Sequence, residues 1–340
     1  MKALQLSLST LAFVVLIAAC EGGVSVDISG PKIGFAPEIS EPVTSIGVAV
    51  TNSDIRVNGV RYSTRSATIR LNGTIVGTAS ILPGHYVHIT GRVHGLGLDG
   101  TAEYVDIDSS IVGPLESVDV VENQLTVLGQ TVMIGASTSL GAGIDPGNFD
   151  GLPVGVVLRV SGYAMANGHL AATRIDLVAG TTIEQVIGKV TVLNTATMRF
   201  RIGGLEVDYS AARYIALPQG APSPGDYVLV RGNLVGDTLR ADELAGVRGS
   251  AGRDVRERTY LEGVVTDTVD TSRFDVGAFR IAMRASTKFE NGARTDLDVG
   301  AQVRIYGRVG TDGATIDADE IEYRPLLDRQ PGPLSPSHSA

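Results

Sequence analysis

The sequence predicts an all-β chain built of about four tandem small β-barrels, each about 70 residues long, behind an N-terminal signal segment. Three observations carry this reading. A short phrase recurs four times, as "PGHYVHITG" (83–91), "VGVVLRVSG" (154–162), "PGDYVLVRG" (224–232) and "VGAQVRIYG" (299–307). Other landmarks recur around it in a constant order, which is the signature of an internal repeat. The composition suits strands and tight turns: of 340 residues 42 are Gly and 14 Pro, there is no Trp, and aromatics make up 5%.

The chain opens with "MKALQLSLSTLAFVVLIAAC". Lys2 precedes an apolar core from Leu11 to Ala19 that is too short to span a bilayer and long enough for a signal peptide, assigned to residues 1–19. The junction Ile17-Ala18-Ala19-Cys20 resembles the lipobox of bacterial lipoproteins. That resemblance implies that Cys20 is the mature N-terminus and the lipid attachment site, so that acylated Cys20 holds the protein to a membrane. Cys20 is the only cysteine, so no internal disulfide exists. The competing reading is an ordinary signal peptide cut after Ala19. Glu21 follows where Asp would be the better known inner-membrane retention signal, which favours the outer membrane, facing the periplasm. Residues 20–45 lack periodicity, are broken by Gly and Pro, and read as the lipidated Cys and a tether.

The repeats are placed at 46–109, 110–182, 183–247 and 259–324. Each copy of the phrase begins at a turn glycine (Gly84, Gly155, Gly225, Gly300) and ends seven residues later on a second glycine (Gly91, Gly162, Gly232, Gly307). Between them, positions three and five are aliphatic in every copy: Val87 and Ile89, Leu158 and Val160, Val228 and Val230, Val303 and Ile305. Positions two, four and six are mixed, among them Tyr86, His88, Arg159, Leu229 and Arg304, and read as an outward face. This alternation describes a half-buried strand. The second glycine falls on the aliphatic face, where it predicts a bend or bulge.

Upstream, Gly47, Gly113, Gly188 and Gly263 each open a short alternating run. Hairpin patterns follow: "IRVNGVRY" (55–62), "LTVLGQTV" (125–132), "FRIGGLEV" (200–207) and "FDVGAFRI" (274–281). Downstream come "AEYV" (102–105), "ATRI" (172–175), "ADEL" (241–244) and "ADEI" (318–321). Five short strands in about 70 residues match a small OB-like barrel. Residues 248–258, "RGSAGRDVRER", read as a polar linker, and the Pro/Ser-rich 325–340 as a disordered tail.

The order G-x-V, F-x-V-x-G, G-x-x-V-x-V-x-G and A-x-x-I resembles a bacterial family of domains of unknown function, DUF5666. The resemblance covers roughly 46–324 and is closest in the third and fourth units. The first departs by a longer loop at 63–82, the second by Pro114 and Pro153. It implies OB-like domains, single or in tandem, in exported proteins. It brings no established activity and no catalytic residues.

The chemistry-bearing residues form no recognised constellation. His85, His88 and His94 lie close in sequence, yet on a strand His85 points away from the other two, and the other units have no histidine at these places. They read as solvated or turn histidines. Asp242-Glu243 and Asp319-Glu320 point to opposite faces of their strands and read as solvated edges. No Gly-x-Ser-x-Gly elbow or phosphate-binding glycine loop occurs. The net charge of −9 and sparse aromatics disfavour nucleic acid. Tyr86, Tyr227 and Tyr306 are available on an outer face.

No catalytic, cofactor-binding or metal-ligating residue is therefore assigned, and the chain is not expected to be an enzyme. The expectation is a non-catalytic, membrane-anchored cell-envelope lipoprotein that acts as a protein-binding or spacer array, with envelope proteins as partners. The alternative is a small-ligand or glycan-binding periplasmic lipoprotein. A concave cluster of polar and aromatic side chains would favour the second. Similar faces repeated without a deep pocket would favour the first.

Overall fold

The computed structural model describes residues 40–324, apart from 52–53, 96–97, 146–147, 166–167, 181–182, 218, 248–256 and 312–314. Among the described residues the protein is all-β, with three single turns of 3-10 helix and no α-helix. None of its helices is long and apolar enough to cross a membrane. The signal peptide at 1–19, Cys20 and the tail at 325–340 lie outside the described residues, as does most of the expected linker.

Every repeat follows one strand order. In the second, the strands are Ile111–Asp119, Gln124–Val127, Gln130–Leu140, Val157–Ala164 and Leu170–Leu177. The first pairs antiparallel with the second and the fourth, the second with the third, the fourth with the fifth, and the third runs parallel to the fifth. The pairing thus returns to its starting strand in the order 1-2-3-5-4-1. The fourth repeat does the same with Arg258–Asp270, Arg273–Val276, Phe279–Glu290, Gln302–Val309 and Thr315–Tyr323. In the first and third repeats the first strand is interrupted once, at Ala49 and at Val190, and short segments complete the circuit. The longer loop of repeat one folds as a hairpin, Thr68–Leu71 with Thr74–Val76, laid parallel to the fifth strand Asp99–Ile107.

The repeated glycines do what their pattern predicts. Gly84, Gly155, Gly225 and Gly300 have φ of +88°, +91°, +93° and +97°, a turn conformation costly for other residues. The second glycines sit at ladder irregularities, between Thr90 and Gly91, Ser161 and Gly162, Arg231 and Gly232, and Tyr306 and Gly307. A β-carbon there would overlap a carbonyl oxygen of the neighbouring fifth strand: that of Thr101, Ala171, Arg240 or Asp317. The eight aliphatic positions are all buried.

Discrete barrels on a string are not what these rings form. The structure joins the repeats in pairs, one with four and two with three, into two continuous sheets of 13 and 12 strands. Repeat one is joined to repeat four by a parallel ladder from Val43↔Arg258 to Ile46↔Leu261. Repeat two is joined to repeat three by an antiparallel ladder, Gln185↔Val112 and Val186↔Ile111. The cause is geometric. The second strand is short and pairs only with the C-terminal part of the first, so the N-terminal part keeps one open edge. An open edge is a template for another strand, and the first strand of another repeat fills it.

Two boundaries differ accordingly. The tether was expected to reach residue 45, but Ser40–Val48 is a strand paired along its length with Tyr86–His94. Pro42 reads as tether, yet it stands near the strand's start, where one missing N–H costs little. Of the expected linker, Glu257 and Arg258 belong to repeat four: the Glu257 carbonyl accepts from Val309 N–H, and Arg258 opens the first strand. Cores are shared as well. Ile46 of repeat one lies in the core of repeat four, Tyr260 of repeat four lies in the core of repeat one, and repeats two and three form one cluster.

Candidate functional site

Where the repeats face one another, they leave a chamber of about 440 Å³. Each repeat contributes: Ile46, Tyr86 and His88 from the first, Gly162 and Tyr163 from the second, Tyr227 and Leu229 from the third, Val264 and Phe279 from the fourth. A wider, more polar space of about 940 Å³ adjoins it and shares Ala164, Leu170, Tyr227 and Ala278 with it. That space is lined by repeats two, three and four, with Lys189, Asp226, Asp267 and Arg280 on its wall.

The local fold explains which side chains arrive there. Odd positions of the repeated phrase enter a repeat's own core, so even positions leave on the other face of the strand. Tyr86 and Tyr227 occupy position two, His88 and Leu229 position four. The expectation that these positions form a solvent-facing surface is corrected: in the paired assembly they meet other repeats. Arg304, also at position four, is 13% exposed and lies between Glu262 (3.5 Å) and Glu322 (3.2 Å).

Three tyrosines frame the chamber. The Tyr86 and Tyr163 rings meet edge to face with centroids 5.8 Å apart. Tyr86 Oη donates to the Glu262 carbonyl at 2.7 Å, and Gln302 Nε2 donates to Tyr163 Oη at 3.0 Å. Burial pushes both phenols far above the ordinary tyrosine value, with the nearby Glu262 charge adding to it. Burial and the Asp275 charge raise Tyr227 as well, against a hydrogen bond with Thr266. All three rings are neutral walls with hydroxyls engaged at their edges.

One end of the chamber is acidic. Asp106 is held by Arg70 through a two-pronged contact at 2.5 and 2.9 Å, and the Arg70 guanidinium lies over the Tyr104 ring at 5.3 Å. His88 stands opposite Asp106 in the ladder. Asp108 has Arg231 at 3.7 Å, while Arg231 donates to Gln185 Oε1 at 2.8 Å and Glu243 Oε1 at 3.1 Å. The protein around Asp108 raises its pKa, the Asp106 charge adds to this, and Arg231 and Arg70 oppose it. Its side chain is 47% exposed, because it faces the chamber rather than a packed core.

The three sequence histidines have separate surroundings. Of the two expected readings, solvated or turn, His85 meets the second: it is 3% exposed, its Nδ1 accepts from Leu82 N–H at 3.2 Å, its own main-chain N–H donates to the Leu82 carbonyl, and its Nε2 lies 3.8 Å from Asp176 of repeat two. His94 Nε2 is 2.9 Å from Thr101 Oγ1. His88 alone reaches the chamber. Tyr306 is not on an outer face either; it packs edge-on against Tyr260, centroids 5.0 Å apart. Glu243 is engaged by Arg213 and Arg231, and Asp242 accepts from Asn233 Nδ2 at 3.0 Å. Tyr163, Asp106 and Asp108 were missed by sequence reasoning, since nothing local marks a chamber assembled from four distant segments.

Residues 112–176 and 262–322 match the model of a family described as Domain of unknown function (DUF5666). The chain resembles DUF5666, in tandem. The matched segments fall on repeats two and four and span their five strands almost end to end. DUF5666 was expected to fit best in repeats three and four, so repeat two is closer to the family than its prolines suggested. Pro114 is accommodated within the first strand: it stands opposite Val157, and its carbonyl accepts from Leu128 N–H at 3.2 Å. No curated protein matches the chain.

Proposed function

We propose that each strand ring is a small OB-like barrel, and that the protein is a non-catalytic envelope lipoprotein, anchored through Cys20, which binds a small ligand where its four barrels meet. The observation that carries this reading is the chamber itself, lined by all four repeats. Ligand sites are concave and mostly apolar with a few placed polar groups, and Tyr86, Tyr163, Tyr227, His88 and Asp106 supply that combination. The ring order 1-2-3-5-4-1 with parallel third and fifth strands supports the OB-like assignment.

A chemical step finds little support. His88 and Asp106 share one face of a ladder, but Asp106 is committed to Arg70. The test is native mass spectrometry of the full chain purified from membranes without denaturation. A bound small molecule is expected, and Ala164→Trp, which fills the chamber, should release it. Bare protein in every preparation would contradict the proposal.

A second reading, a protein-binding scaffold, is favoured by one repeated exposed feature. Val121, Val192 and Val269 stand near the turn between first and second strands in repeats two, three and four, and are 71%, 75% and 41% exposed. Envelope proteins recovered with the wild type but not with a triple Val→Ser variant would favour this reading.

A further inference from the structure

We infer that the chamber takes an organic ammonium ion with an apolar body, bound between the three tyrosine rings and the Asp106–Asp108 end. The inference deepens the ligand-binding reading above and rests on it.

The lining of the 440 Å³ chamber holds two carboxylates, one histidine and no lysine or arginine among the described residues. Apart from Ser110, whose hydroxyl is engaged by the Gly162 carbonyl at 2.8 Å, the rest is aliphatic, aromatic or glycine. The cations that touch these carboxylates, Arg70 and Arg231, do so from outside the lining. Asp106 is fully engaged by Arg70. Asp108 is not: it accepts no hydrogen bond among the described residues, and Arg231 has its own partners in Gln185 and Glu243. Asp108 is therefore a carboxylate facing an apolar space with an incomplete counter-charge.

The tyrosines point the same way. Because their hydroxyls are engaged at the chamber's edges, Tyr86 and Tyr163 present ring surface to it. Aromatic faces attract cations, and desolvated sites gain most. A neutral hydrocarbon would satisfy the walls and leave Asp108 with only the shared Arg231 at 3.7 Å. An organic anion would face two carboxylates and no lining cation. An ammonium ion attached to an apolar body meets both requirements. Lys189 and Arg280 lie on the wider polar space instead, where solvent or a polar substituent of the ligand is accommodated.

The test is calorimetric titration of the full chain with three probes of one shape: phenyltrimethylammonium, its neutral isostere tert-butylbenzene, and benzenesulfonate. Phenyltrimethylammonium is expected to bind at least about tenfold more tightly than tert-butylbenzene, and benzenesulfonate not at all. Asp108→Asn should abolish the tenfold preference and leave tert-butylbenzene binding unchanged. Tyr227→Leu should weaken phenyltrimethylammonium in particular. Equal binding of the cation and its isostere, unaltered in Asp108→Asn, would overturn the ammonium inference while the chamber reading stands. Failure of every probe in a wild type indistinguishable from Ala164→Trp would overturn both.

Discussion

The side-chain amide of Asn58 in repeat one donates to the main-chain carbonyl of Tyr260 in repeat four at 3.2 Å, across 202 positions of sequence. The same Nδ2 donates to the Ile46 carbonyl at 2.9 Å and to Ser45 Oγ at 3.1 Å, and the residue is 3% exposed. Asn58 also has φ of +52° in the turn it forms with Gly59. One residue type thus serves a hairpin turn and the joint between the two terminal repeats, since asparagine tolerates this backbone and carries two donors.

Replacing Asn58 by Asp keeps the shape and turn tolerance but sets a carboxylate against the Ile46 and Tyr260 carbonyls, which can only accept. Each lost buried hydrogen bond is worth about 0.5–1.5 kcal/mol, and an unsatisfied group costs more. Asn58→Asp is expected to lower stability in urea by at least about 2 kcal/mol. A change below about 0.5 kcal/mol would show that the joint does not depend on it.

Gly232→Ala should destabilise by at least about 1 kcal/mol, because the new methyl overlaps the Arg240 carbonyl on the adjacent strand and the ladder must shift. Gly77 is the control. A β-carbon there meets nothing within 4 Å and its φ is not left-handed, so Gly77→Ala is expected to be neutral or stabilising by about 0.4–1 kcal/mol. Equal effects of the two substitutions in thermal unfolding would refute the steric account of the second glycines.

Asp176 couples repeats one and two through pH. Burial opposes its ionisation, but His85 and Arg174 outweigh this and hold its pKa below the ordinary 3.8. A depressed folded pKa contributes stability that is present above the unfolded value and is lost as pH falls through the folded value. Asp176→Asn is therefore expected to cost about 1.5–3 kcal/mol at neutral pH, the range for hydrogen bonds to charged groups. The gap between variant and wild type should narrow as pH falls below 3.8. A gap that stays constant through that range contradicts the assignment.

Cys20→Ser should leave the protein unprocessed or free of membranes, and the mature wild type should begin at an acylated Cys20. Mass spectrometry of the N-terminal peptide decides this, and an unmodified mature Cys20 would contradict it.

Much of the interior was legible. Val87, Ile89 and their six counterparts are buried as their alternation required, and the turn and bulge glycines stand where spacing put them. The upstream glycines find a parallel explanation: a β-carbon on Gly47, Gly113, Gly188 or Gly263 would crowd Asn58, Leu128, Ile202 or Val276 of the same repeat's hairpin. What could not be read was the destination of the second face of each strand. A period of two says that Tyr86 and Val87 point opposite ways; it carries no information on which distant repeat meets Tyr86. Variation at position four looked like an idle surface. It follows instead from geometry, since His88 and Leu229 line the chamber while Arg304 lies between Glu262 and Glu322. Ser40–Val48 was missed as a strand start because its partners, Tyr86–His94 and Arg258–Leu261, lie far along the chain and Pro42 masks the pattern.

The central claim is that the four repeats close into one body, with repeat four held to repeat one rather than trailing behind repeat three. A protease site placed within 248–256 in the full chain tests it most directly. After cleavage without denaturant, the two fragments are expected to co-elute at the size of the intact protein, held by the Val43–Ile46 ladder with Arg258–Leu261 and by the Asn58 and Glu41 contacts. In urea they should separate. If repeat four elutes alone as a small folded fragment in native buffer, the repeats are independent, and no shared chamber exists between them.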